Sequence, residues 1–130
     1  LLTVCMQDDE PLARLHAAAQ ARGLETLVEV HDEDDVCRVR ALGLRPDVLG
    51  INNRDILVRE IDDGDVTVTE RLARTAPPDT LVLSESAISG PGDARRARAA
   101  GADAVLVGTS ILVAPDPDAA IRALVDVGWP

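Results

Sequence analysis

The chain has 130 residues, with 23 Asp plus Glu against 13 basic residues and a net charge of −10 at pH 7. That field repels nucleic-acid backbones and anionic membrane surfaces, so neither is expected as a partner, and a lone aromatic residue, Trp129, excludes base stacking. Every basic residue is an arginine, which excludes Schiff-base chemistry by a lysine of this segment.

The length suits one domain with a real core. Two cysteines, Cys5 and Cys37, are too few for a disulfide framework and lack a metal-ligand spacing; both read as buried apolar residues in a reducing cytoplasm. No apolar run reaches the ~18 residues of a membrane span, and no basic-then-apolar leader opens the chain. Leu1 already belongs to a strand-like run, so the start reads as a cut through a structure.

Short apolar runs alternate with helical patterns about every 25 to 30 residues, the rhythm of βα units in a parallel sheet. Strands are predicted over 1–6, 26–30, 48–52, 80–84 and 104–108, and their continuous apolar character predicts burial on both faces. The first helix, 9–21, carries a stripe of Leu12, Leu15, His16 and Ala19 and stops at Gly23; the second, 32–42, carries Val36, Val39 and Leu42 and stops at Gly43. A long loop, 54–65, precedes a short helix over 67–74, and a fourth helix over 92–100 ends at Gly101. A helical stretch over 110–113 follows the last strand, and the final helix, 117–127, has Asp116 as N-cap and Pro117 at its first position. The repeated junctions ARGLETLVEV, ALGLRPDVLGI and AAGADAVLVG are explained by glycine C-caps before strands.

In this α/β layout the last two strands each end in small or polar residues, the arrangement of a phosphate-binding floor in a (β/α)8 barrel, where chemistry sits at the C-terminal strand ends. The chain is about half the ~250 residues such a barrel needs. Glu29 interrupts the apolar LVEV; aimed into a barrel mouth it would be desolvated and its pKa raised, and aimed outward it would pair with an arginine such as Arg22. Asn52, Asn53 and Arg54 either orient an anionic, hydroxylated ligand or form a turn in which Arg54 pairs with Asp55. Ser84, Glu85 and Ser86 offer a second inward carboxylate with hydroxyls for sugar oxygens, or a cap and a solvated loop. Gly108, Thr109 and Ser110 let backbone N–H groups approach an anion. His31 among Asp32, Glu33, Asp34 and Asp35 reads as a capped helix start, not a metal site, and His16 as packing.

Taken in order and spacing, LVEVHDED, LGINNRD, LSESAIS and GADAVLVGTSILVAPDP resemble indole-3-glycerol-phosphate synthase, with LLTVCMQDDEPLARLHAAAQARG standing as the unit before them. The resemblance implies that residues 1–130 are a single domain, strands four to eight of the family barrel without its first three βα units. It implies a carboxy-lyase of tryptophan biosynthesis that closes the pyrrole ring of 1-(2-carboxyphenylamino)-1-deoxyribulose 5-phosphate with loss of CO2 and water, without metal or organic cofactor. Glu29 and Asn52 then stand at catalytic positions, Arg54, Glu85 and Ser86 at substrate-binding positions, and Ala87, Gly108 and Thr109 at the phosphate turn. Ala87 departs from the family's glycine, where a Cβ would crowd the phosphate or demand a positive φ. The family's catalytic lysines have no counterpart here, so the segment is expected to be inactive alone and to pair with a missing N-terminal half or self-associate through exposed sheet edges. Other phosphate-binding barrels, such as an isomerase or a thiazole synthase relative, and a non-catalytic half-barrel that binds a phosphorylated ligand are the alternatives.

Overall fold

The computed structural model describes residues 1–54 and 65–129; the predicted loop 54–65 and the pairing of Arg54 with Asp55 fall largely or wholly outside them. Among the described residues five parallel strands form one sheet in chain order: β1 (Leu2–Thr3), β2 (Leu27–Val30), β3 (Val48–Asn52), β4 (Leu81–Glu85) and β5 (Ala104–Leu106). The helices between and after them are α1 (Asp9–Gln20), α2 (Glu33–Ala41), α3 (Thr67–Leu72), α4 (Pro91–Ala100), α5 (Thr109–Leu112) and α6 (Pro117–Val125). This is the α/β architecture of a partial barrel, five βα units with flanking helices. No described helix is long and apolar enough to cross a membrane.

Period-two alternation sends Val28, Val30, Leu49, Ile51 and Val82 to the helix-covered face, where each is 5% exposed or less. They pack with Leu12, Val36, Val39, Leu72 and Ala97 from the helices, each buried Leu or Val contributing about 1.5–3 kcal/mol at most. The opposite face carries Glu29, Gly50 and Leu83 in register, and one step further Asn52 beside Glu85. Burial on both faces, expected from the apolar runs, holds fully on the helix side and only in part on the other: Glu29, Asn52 and Glu85 are buried there, while Leu81 and Leu106 are 60% and 57% exposed.

The predicted first strand shortens to two residues because Val4–Met6 winds into a 3-10 turn. Arg38 of α2 pins that turn, donating from Nη1 to Val4 O at 3.0 Å and from Nη2 to Gln7 O at 2.7 Å. On α1, Leu12 and His16 are buried one turn apart while Leu15 is 43% exposed, so the buried stripe is narrower than the pattern suggested. Neither cysteine is buried. Cys37 is exposed because it lies beside, not on, the Val36–Val39 stripe, and Cys5 is only half-buried.

The three repeated junctions share one geometry. Gly23, Gly43 and Gly101 take φ of 68°, 64° and 115°, and the next residue's N–H returns to Ala19 O, Val39 O and Ala97 O respectively. Asp116 caps α6 by accepting from Ala119 N at 2.9 Å, with Pro117 following it.

Candidate active site

The C-terminal ends of β2, β3 and β4 bring Glu29, Asn52 and Glu85 onto one face of the sheet, each 8% exposed or less. Glu29 Oε1 accepts from Asn52 Nδ2 at 3.3 Å and faces His31 Nε2 at 3.3 Å. The rise in pKa expected for a desolvated Glu29 does not occur. The contact with His31 outweighs burial, and with the Asn52 hydrogen bond it lowers the carboxyl below its ordinary range. The alternative pairing with Arg22 is also absent, since Arg22 Nη1 donates to Ala18 O at 3.0 Å on its own helix.

His31 shares this strand end with Glu29, but its contact with the carboxylate was not expected from the sequence. Asp32 caps α2 as read, accepting from Asp35 N at 2.8 Å, and that cap turns Asp35 back toward the strand end. Asp35 Oδ2 accepts the His31 backbone N–H at 3.0 Å and lies 3.6 Å from Nδ1. Burial lowers the imidazole's pKa, but Asp35 and Glu29 outweigh it and push the ring up to about 9. Cys5 Sγ lies 3.6 Å from His31 Nδ1, and one donor atom from each of Cys5, His31 and Asp35 falls within 4.8 Å of the others. That spacing alone admits a cation, and three features of the cluster oppose one. A protonated imidazole has no lone pair, Arg38 Nη1 stands 3.9 Å from Asp35 Oδ1, and burial pushes the Cys5 thiol pKa up.

Glu85 behaves in the opposite sense to Glu29. Burial, assisted by the charge on Glu29, pushes its carboxyl up to about 7. Among the described residues no hydrogen-bond partner reaches its Oε1, and the carboxylate lies over Gly50 of β3. Two neighbouring carboxyls thus differ in environment: one is held ionised, and the other can carry a proton near neutrality.

Asn53 and Ser84 do not face this mouth. Asn53 Nδ2 donates to Ser84 Oγ at 3.1 Å and Glu85 O at 2.9 Å, and its Oδ1 accepts from Thr69 N and Oγ1, both at 3.0 Å. A 2.7 Å contact between the Thr69 and Ser84 hydroxyls closes the ring. With Ser84 and Thr69 fully buried, this network is a scaffold that ties α3 and β3 to the chain leaving β4. The ligand role open to Asn53 and to the Ser84 hydroxyl is therefore withdrawn.

Asn52 Oδ1 accepts the Arg54 backbone N–H at 3.0 Å, shaping the turn that carries Arg54 to a second cavity. This cavity, about 330 Å³, is lined by Arg54, Ser86, Ala87, Gly108, Thr109 and Ser110. The short helix α5 begins here after Gly108, and Ser110 Oγ donates to Ile88 O at 2.8 Å, joining the ends of the last two units. Ser86 and Ala87 both take left-handed backbone, with φ of 63° and 57°. The positive φ feared at Ala87 is present.

A sequence-family profile described as indole-3-glycerol phosphate synthase matches residues 1–124. The chain is similar to a protein of that name from Opitutus terrae, 45% identical over 121 residues, covering 93% of this chain and 44% of that protein. A second, from Thermococcus kodakarensis, is 46% identical over 111 residues, covering 84% of this chain and 47% of that protein. The chain spans about half the length of the curated relatives it matches. Among solved structures, the BexX/CysO complex of Amycolatopsis orientalis matches with a TM-score of 0.69 at 19% identity, covering 92% of this chain and 48% of that one. The N-acetylmannosamine-6-phosphate 2-epimerase of Clostridium perfringens matches with a TM-score of 0.61 at 20% identity, covering 88% and 48%. At these identities the structural likeness concerns the fold alone.

Proposed function

Because this chain belongs to the indole-3-glycerol phosphate synthase family, we propose that it supplies the C-terminal half of that carboxy-lyase's active site. The substrate is 1-(2-carboxyphenylamino)-1-deoxyribulose 5-phosphate, whose pyrrole ring closes with loss of CO2 and water. The observation that carries this reading is the convergence of Glu29, Asn52 and Glu85 on one buried face, one turn away from an arginine-lined cavity. Ionised Glu29 accepts and returns the proton that moves during ring closure and dehydration, and Asn52 orients both Glu29 and a substrate hydroxyl or carboxylate. Glu85, with an unpartnered Oε1 and a pKa near neutrality, receives a substrate hydroxyl and holds a proton in reach. Arg54 and Ser86 bind the substrate's anionic and hydroxyl groups, and Ala87, Gly108 and Thr109 form the floor for its phosphate.

The family resemblance also implies a general-acid lysine, and this chain has no lysine. General acids typically contribute about 10²- to 10⁴-fold, so turnover belongs to the chain joined to an N-terminal barrel half. That half would cover Leu81 and Leu106 and the groove of about 360 Å³ beside β5, where Val105, Ile111, Leu124 and Trp129 stand. Without it, the same surface drives self-association. The two free thiols, Cys5 and Cys37, suit a reducing cytoplasm.

The test is reconstitution. The chain alone should form no detectable indole-3-glycerol phosphate, and adding the N-terminal half of the Opitutus terrae relative should produce it. Failure of the mixed halves to turn over, with both folded and associated, would contradict the reading.

A further inference from the structure

His31 stands outside the roles just described, yet its ring bridges two carboxylates: Nε2 faces Glu29 Oε1 at 3.3 Å and Nδ1 faces Asp35 Oδ2 at 3.6 Å. Asn52 Nδ2 donates to Glu29 Oε1, and His31 Nε2 stands 3.3 Å from the same oxygen as an ion-pair contact without a hydrogen bond. The bridge is anchored behind: Asp35 takes the His31 backbone N–H and is itself aligned by the Asp32 cap, while Arg38 stands 3.9 Å from its other oxygen. We propose that His31 is a positioning residue for Glu29, holding its carboxylate in place through the charge contact at Oε1. This rests on the proposed role of Glu29.

A contact of this kind acts on both orientation and charge. The groups around the imidazole are Glu29 of β2, Asp32 at the N-cap of α2, Asp35 and Arg38 within α2, the Cys5 thiol of the 3-10 turn, the neutral Asn52 of β3, and Glu85 of β4, whose charge His31 also senses. Carboxylates outnumber the one other cation, so the ring stays charged while Glu29 is ionised. Removing it takes away the largest influence that holds Glu29 low.

The experiment uses the intact protein that contains this sequence, with steady-state ring closure followed across pH. His31→Ala should lower kcat about 10- to 100-fold with KM within about threefold, and should move the acidic limb of the kcat profile to higher pH. His31→Gln, which keeps an N–H near the Nε2 position but no charge, should recover part of kcat while leaving the limb displaced. In a Glu29→Gln background, His31→Ala should cost nothing further, because the residue acts through Glu29. Wild-type kcat with an unmoved limb in His31→Ala, or losses that multiply in the double variant, would overturn the proposal. If Glu29→Gln alone turns over normally, the reading of Glu29 fails instead. If His31→Ala does not fold, Asp35→Asn, which weakens the anchor and leaves the ring, must show the same limb displacement at smaller size; an unmoved limb there overturns the proposal.

Discussion

Glu85 occupies space that only a glycine at position 50 leaves open: a Cβ built on Gly50 would stand 2.0 Å from Glu85 Oε1 and 3.0 Å from its carboxyl carbon. Gly50 sits between Glu29 and Leu83 in the sheet, so the missing side chain lets the Glu85 carboxylate lie back toward Glu29. Gly50→Ala should therefore cost about 1–3 kcal/mol as an overpacked core site does. Most of that cost should vanish in a Glu85→Ala background, measured as urea midpoints of the four proteins of the cycle. Equal costs in both backgrounds would mean that the two residues do not compete for this space.

The same burial sets a pH dependence. The folded pKa of Glu85, about 7, lies above its ordinary 4.5, so the folded state binds the proton more tightly than the unfolded one. The stability this contributes is full below pH 4.5 and is lost as pH rises through 7. The difference amounts to about 3 kcal/mol. Glu85→Gln should remove that slope, so that its thermal midpoint gains on the parent's as pH rises to 8. A parallel pair of midpoint curves would contradict the assignment.

Much of the fold is written locally. Apolar runs of four or five residues, glycine at 23, 43 and 101, and Asp116-Pro117 each act within a few residues of themselves, and the strands and helices appear close to where these signals put them. What could not be read depends on partners distant in sequence. Asn52 and Asn53 are one dipeptide, but strand alternation turns the first to Glu29 and the second to Thr69 and Ser84. Arg38 shortens β1 from 34 residues away, by binding Val4 O. The sign of Glu29's shift was within reach, since residues two apart on a strand share a face and His31 follows Glu29 at that spacing. The strand does end at Val30, as expected, and His31 contacts Glu29 from one residue beyond it.

Ala87 holds a left-handed backbone, φ 57°, that glycine adopts without a Cβ penalty. Ala87→Gly should stabilise the protein by about 1 kcal/mol despite the added freedom of the unfolded chain. It should also lower the KM for substrate by letting the phosphate approach the turn more closely. Both are read from a denaturation curve and a saturation curve of the intact protein. Destabilisation with unchanged KM would show that the Ala87 methyl is a packing group.

Leu81 and Leu106 are large apolar side chains on the face away from the helices. The chain on its own should sediment as concentration-dependent oligomers. Leu81→Gln with Leu106→Gln should weaken association at least about tenfold, given about 1.5–3 kcal/mol for each side chain removed from water. A monomer at every concentration, with a sharp thermal transition independent of concentration, would contradict the proposed surface.

The most direct test of the central claim is the ring-closure rate of the intact protein carrying Glu29→Gln. The side chain keeps its shape and its place beside Asn52 and His31 but cannot take a proton. The account predicts a fall in kcat of at least about 10²-fold with KM within a few-fold of the parent. A kcat near the parent's would remove Glu29 from the chemistry and contradict the assignment of this strand end as the catalytic centre.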